Sequence, residues 1–246
     1  MTKKYRPTWA EIDLDAIKYN VEQIKTCIKK DVEIMPVVKA NAYGHGICEI
    51  ARLLVSIGIN YLGVATVDEA LRLRRSGIPC GILILGATLE DEALIAASND
   101  ITVTLCNDNI LKILVEWSKK TGQIPKVHVK IDTGMGRIGV WHEEAFSFIK
   151  RVVDTGCIDL EGVYTHFSAA GRDELYTSLQ IEYFDGVLEE MDNAGIKVKY
   201  RHASNSLAVV DWKKAHLNLI RPGILIYGIY PKETFRRSKI TTCHDS

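Results

Sequence analysis

The chain has 246 residues, close to the ~250 typical of one (β/α)8 barrel and ample for a large core. Its 31 Lys and Arg balance 31 Asp and Glu, with 47% hydrophobic and 25% charged residues, which argues for an ordinary globular interior and against a nucleic-acid or polyanion partner. Six scattered cysteines without a Cys-x-x-Cys, no apolar run of ~18 residues, and a start, MTKKYRPTW, with no apolar stretch after its basic residues argue against a disulfide framework, a metal site, a membrane segment and a secretory leader, and for a cytoplasmic protein.

In chain order, TWAEIDLDAIKYNVEQIK predicts a short extended piece, Thr8–Asp13, and then a helix. The extended piece has no evident partner strand. Glu33–Lys39 follows, apolar and β-branched like a buried strand, yet it ends on a lysine. Desolvating an ammonium is costly, so Lys39 either emerges into solvent or has a use. Further strands are predicted at Tyr61–Ala65, Gly81–Leu85, Ile101–Leu105, Lys126–Asp132, Leu160–His166, Lys199–Ser204 and Leu217–Arg221. Helical patterns separate them. In TVDEALRLRRSG, Thr66 N-caps with Glu69 three residues on, and Gly77 ends the helix. The longest pattern, DELYTSLQIEYFDGVLEEMDNAG, ends at Gly195. Eight strands alternating with helices in this length predict a closed parallel (β/α)8 barrel of the TIM type over residues 14–231. A doubly wound open sheet is the alternative. Residues 1–13 are expected to form an N-terminal extended segment, and residues 232–246 read as a charged tail without periodicity.

Strand KVHVKID places Lys126, His128, Lys130 and Asp132 on one face, which predicts an inward polar network. The loop after it, TGMGRIG, carries Gly134-x-Gly136-x-x-Gly139. That spacing matches a dinucleotide fingerprint, but helical pattern resumes only near His142 and the loop follows the fifth strand. We read the glycines as letting the loop turn tightly and aim Arg137 inward. His166 stands at the tip of the sixth strand, Asn205 and Ser206 at the seventh, and Arg221 at the eighth. Pro222 suits the first turn of a short helix, and Gly223 lets backbone approach a ligand. Free N–H groups there fit the barrel phosphate site. One strand-end lysine, one phosphate site and several orienting polar groups describe a Schiff-base aldehyde cofactor, pyridoxal phosphate.

The stretches AEIDLDAIKYN, PVVKANAYGHG, HVKIDTGMGRIG, THFSAA, HASNSLA and IRPGILIYGIYP, in this order over residues 7–231, together resemble bacterial alanine racemases. The resemblance implies a fold-type III pyridoxal phosphate enzyme that interconverts L- and D-alanine for cell-wall precursor supply. It implies that Lys39 holds the cofactor and is the base on the D face. Tyr43, Ser206 and the backbone at Gly223 and Ile224 would cradle the phosphate, with Asn205, Tyr227 and Leu85 as further cofactor contacts. Arg221 would face the pyridine nitrogen. His166 would stack near the ring and support Arg221. Arg137 would reach the phenolic oxygen, held by a carbamylated Lys130. Family members form homodimers with shared sites, and a β-rich second domain supplies the base on the L face. This chain stops where that domain would begin, so a truncated chain with reduced turnover is expected, its N-terminal segment lacking its partner. A related small amino-acid racemase acting on serine, or a cofactor-binding barrel without turnover, are the alternatives.

Overall fold

A computed structural model describes residues 10–230 of the chain. Helix α1 (Leu14–Cys27) opens them; Asp13 caps it, its carboxylate accepting from the Asp15 and Ala16 amides, and Ile17, Val21 and Ile24 bury one stripe. Of the predicted extended piece Thr8–Asp13, Thr8 and Trp9 lie outside the described residues, Ala10–Ile12 form no strand, and Asp13 belongs to the helix cap. The 232–246 tail also lies outside the described residues.

The chain then alternates. It runs through β1 (Glu33–Ile34), a turn α2 (Lys39–Tyr43), α3 (Ile47–Ser56), β2 (Tyr61–Val64), α4 (Val67–Arg75), β3 (Gly81–Ile84) and α5 (Glu90–Ser98). It continues through β4 (Val103–Leu105), α6 (Asp108–Thr121), β5 (Lys126–Asp132), β6 (Val140–Trp141), α7 (His142–Asp154) and β7 (Asp159–Tyr164). It ends with α8 (Glu174–Asn193), β8 (Tyr200–His202), α9 (Ser206–Asp211), β9 (Leu219–Ile220) and a 3-10 turn at Ile224–Tyr227. Among the described residues no helix is long and apolar enough to cross a membrane.

All strand pairs are parallel, and the ring closes, which excludes the open sheet. β1 pairs with β9, and Val37 bridges to Gly63 beside β2. β2 pairs with β3, Leu83 bridges to Thr102, and β4, β5, β7 and β8 follow in order. The last seam is made by Arg221 N donating to Ser204 O at 3.0 Å and Asn218 N to Arg201 O at 3.4 Å. The eight predicted strands are present but shorter than expected at most ends. Pro36 has no N–H, so the first strand is interrupted after Ile34, although Val37 N still reaches Pro222 O at 2.9 Å. The short strand β6, which pairs with the end of β5, was not foreseen.

One apolar cluster lies between strands and helices. A small second one, Met35, Tyr61, Leu83, Tyr200 and Leu219, fills part of the barrel interior. The rest of that interior is polar: His128, Lys130, His202 and Arg221 are each at most 3% exposed.

Candidate active site

A cavity of about 520 Å³ opens among the C-terminal ends of the strands. Lys39, Tyr43, Leu85, Lys130, Arg137, His166, Asn205, Ser206, Arg221, Gly223 and Ile224 all line it. Tyr227 does not. It is buried behind the wall, its ring 5.3 Å from that of Tyr43 and stacked on His45 at 4.5 Å.

Lys39 is exposed in the cavity mouth, so it both emerges into solvent and faces the site. The turn after it is unusual. Ala40, Asn41, Ala42 and Tyr43 all have left-handed backbones, with φ between 52° and 56°. Such a conformation costs an L-residue roughly 1–2 kcal/mol, so the turn must be held from outside. Glu69 does much of this: its carboxylate accepts from Ala40 N at 2.6 Å and from Ala65 N at 2.8 Å. Thr66 does cap α4, accepting from Glu69 N at 3.3 Å, but the Glu69 side chain holds the lysine turn instead of closing a capping box. Asn41 adds a contact to Ile47 N at 3.1 Å.

Opposite this turn, Ser206 Oγ accepts from Gly223 N at 2.8 Å and from Leu225 N at 3.4 Å. Those two amides are therefore engaged, not free as expected, and the helix they begin is a four-residue 3-10 turn starting two residues after Pro222. A Cβ on Gly223 would sit 2.6 Å from Tyr43 Oη, so glycine is required for the close approach. Asn205 accepts from Leu207 N and Ala208 N, both at 3.1 Å, and so caps α9 while lining the cavity.

Arg221 is 3% exposed. It donates to His202 Nδ1 at 2.7 Å, Thr165 O at 2.7 Å and Ala203 O at 2.9 Å. Its support thus comes from His202 and two carbonyls, and not from His166 as expected. Burial lowers its pKa to about 10, which leaves it a cation at neutral pH. Lys130 is pulled from 10.5 to about 8, first by burial and then by the charges of Arg137 and Arg221. His166 lies well below its ordinary value because of burial and the surrounding cations, so it is neutral. Burial pushes Tyr164 up to about 12.

The glycine loop behaves as read. Gly134, Gly136 and Gly139 have positive φ, Asp132 accepts from Gly134 N and Gly136 N, and Arg137 reaches the cavity. Of the predicted polar face, His128 and Lys130 point into the barrel. Lys126 lies on the surface against Asp100 at 2.8 Å.

Sequence reasoning missed Glu69, Tyr164 and His202. His202 stands within HASNSLA two residues before Ser204, the spacing of one strand face, so a signal was there. Glu69 was read only as part of a cap.

Four cations, Lys39, Lys130, Arg137 and Arg221, therefore converge on one cavity whose described lining contains no carboxylate. The family model for the alanine racemase N-terminal domain matches residues 12–231. The chain belongs to the alanine racemase family. Among curated alanine racemases, the one from Methanococcus maripaludis is 42% identical over 95% of this chain and 63% of its own length. The one from Carboxydothermus hydrogenoformans is 42% identical over 94% of the chain and 63% of itself. The chain thus spans just under two thirds of these relatives. Of solved structures, an alanine racemase from Clostridium difficile 630 in complex with cycloserine superposes with a TM-score of 0.93 at 38% identity, over 98% of this chain and 66% of that one. The Bacillus anthracis alanine racemase with bound L-Ala-P gives 0.89 at 36% identity, over 98% and 64%. These alanine racemases share the closed barrel described here.

Proposed function

We propose that this barrel binds pyridoxal phosphate through Lys39 and serves the interconversion of L- and D-alanine, a cytoplasmic step toward peptidoglycan. The observation that carries the reading is the convergence of four cations, without a described carboxylate, on a cavity with a strand-end lysine. That charge balance suits a phosphate-bearing ligand. Ser206, Gly223 and the Tyr43 hydroxyl form the cradle where the phosphate would sit. The bound cofactor would supply an electron sink that acidifies the substrate's α-proton.

The chain's own residues define the rest. Lys39 is the cavity amine able to take and return a proton at the substrate's α-carbon. Arg221 lines the same cavity and would face the cofactor's ring nitrogen, and a guanidinium cannot accept a proton from it. It would then leave that nitrogen unprotonated and the electron sink weak, which suits a reaction that only removes and returns one proton. Lys130, at about pKa 8, has an appreciable free-amine fraction at neutral pH. That amine can add carbon dioxide, losing one proton and becoming a carbamate anion. Such an anion would neutralise the repulsion from Arg137 and hold it in place. Exposed Trp141 and Tyr176 lie by the Arg137 loop: Trp141 pairs with Asp132 at its start, and Tyr176 Oη donates to Gly134 O at 2.8 Å. They support a homodimer that shares this mouth.

Two-base racemisation also needs an acid–base group on the opposite face. Of the tyrosines that line the cavity, Tyr164 is tied to Thr104 at 2.7 Å with a pKa near 12, and Tyr43 abuts the cradle, so neither is free to act there. Lys130 and His166, the other lining groups that can carry a free base, are assigned to holding Arg137 and to the cofactor. The 246-residue chain with cofactor should therefore exchange the α-proton of D-alanine with solvent faster than it racemises alanine. Deuterium uptake followed beside chiral analysis tests this. Failure to exchange the proton at all would overturn the reading of Lys39 as the base.

A further inference from the structure

The cavity floor is joined to the opposite end of the barrel by a chain of hydrogen bonds through the interior. Arg221 Nη1 donates to His202 Nδ1 at 2.7 Å. His202 Nε2 lies 2.8 Å from His128 Nδ1, and His128 Nε2 lies 3.3 Å from Glu161 Oε2. Both imidazoles are fully buried, while Glu161 is 11% exposed.

The two ends of this chain differ in kind. A guanidinium can only donate, and a carboxylate can only accept. His202 must then accept at Nδ1 and carry its proton on Nε2. His128 must accept at Nδ1 and carry its proton on Nε2, toward Glu161. Only this direction satisfies every bond. Burial and the charge of Arg221 hold His202 below its ordinary value, and burial does the same for His128, so both rings are neutral and the tautomers are defined. Burial pushes Glu161 up, but hydrogen bonds from His128 and Tyr61 and the charge of Lys199 outweigh it and hold it near 2, a carboxylate.

The backbone is shaped for this contact. Val127 pairs with Leu160 and His128 with Gly162, so Glu161 is an extra residue in a β-bulge, a device that re-aims a side chain. The next residue is glycine. A Cβ there would stand 2.8 Å from His128 Cε1. Tyr61 Oη at 2.6 Å and Thr102 Oγ1 at 3.2 Å donate to the same Glu161 oxygen and fix its orientation.

We propose that Glu161 is a positioning residue for Arg221: by terminating the His128–His202 chain with an obligate acceptor, it fixes both tautomers and keeps a lone pair aimed at the guanidinium. The opposite direction would put protons on both Nδ1 atoms. With Glu161 present, that reversal breaks the bonds at both ends. Without it, only the Arg221 end resists, through the one bond from Nη1 to His202, while Nη2 stays on the carbonyls of Thr165 and Ala203. The inference relies on the reading above only for the use made of Arg221.

The test is nitrogen NMR of the 246-residue protein labelled at histidine and arginine, with no cofactor added, His128 and His202 being assigned from His128→Asn and His202→Asn. Wild type should show both rings neutral with the proton on Nε2. A folded Glu161→Leu should show mixed tautomers at both rings, and its Arg221 Nη protons should exchange with solvent about tenfold faster, as for one lost hydrogen bond. Glu161→Gln retains an acceptor oxygen and should restore the wild-type pattern. A general loss of stability would not produce that rescue. Three results would each overturn the proposal: a wild-type His202 protonated on Nδ1 or on both nitrogens, a folded Glu161→Leu with unchanged His202 and Arg221 signals, or a Glu161→Gln with mixed tautomers. If Glu161→Leu does not fold, wild type and Glu161→Gln still decide. Because no cofactor is present, failure of Lys39 to bind one would leave this result standing.

Discussion

Replacing Lys130 by methionine should make the protein more stable at pH 7, against the usual outcome for a core substitution. Lys130 is 2% exposed and lies near two arginines. Its fall from 10.5 to about 8 means that the fold disfavours the protonated amine. At about 1.36 kcal/mol per tenfold change in acidity, that is about 3 kcal/mol. The contact of its ammonium with the Tyr164 ring, at 5.5 Å, offsets some of this, so a net gain of roughly 1–3 kcal/mol is expected. The pH dependence has a definite sign. The unfolded lysine binds its proton more tightly than the folded one, so wild-type stability rises between about pH 8 and 10.5. The variant lacks this rise. Urea unfolding in carbonate-free buffer should show the largest gap below pH 8 and almost none above 10.5. Adding bicarbonate at pH 7 should narrow the gap, since a carbamate removes the buried cation from wild type only. A variant less stable than wild type at pH 7, or a gap that does not change with pH, would mean that the buried Lys130 ammonium carries no such penalty.

Gly223→Ala places a Cβ 2.6 Å from Tyr43 Oη, inside the cradle; spectral titration with pyridoxal phosphate should show affinity lower by about tenfold or more, and unchanged affinity would contradict the phosphate assignment. Arg221→Glu buries a carboxylate against the carbonyls of Thr165 and Ala203 and removes the donor to His202. It should cost about 3–5 kcal/mol in denaturant unfolding, and a variant of full stability would contradict the role given to that guanidinium. Glu69→Ala strips acceptors from Ala40 N and Ala65 N. It should cost about 1–3 kcal/mol and increase protease cleavage near residues 40–43, whereas an uncut turn would show that it holds itself.

The barrel was legible because its strands are apolar, short and evenly spaced, and because capping residues such as Thr66 and Asp173 stand at helix starts. Strand lengths were not legible. Barrel strands pair only over part of each extended run, and Pro36 removes a donor from the first. The cavity was legible at its tips, where Lys39, Arg137, His166, Ser206 and Arg221 stand within a few residues of a strand's C-terminal end. What the sequence concealed were partnerships across the ring. Glu69 and Ala40 are 29 positions apart, and Arg221 and Thr165 are 56 apart. No local pattern announces such bonds. The left-handed turn after Lys39 was hidden for the same reason: KANAY has no glycine, and only tertiary contacts make that backbone tolerable. The bulge at Glu161 was equally silent, because a pairing register belongs to two strands at once.

Everything proposed for this site depends on Lys39 being the amine that carries the cofactor. The direct measurement is to add pyridoxal phosphate to the 246-residue protein, reduce with borohydride, and locate the label by peptide mapping. One labelled lysine, Lys39, is expected, with Lys39→Ala retaining weak, phosphate-competed binding and no label. Label on Lys130 or on surface lysines, with Lys39 unmodified, would contradict it.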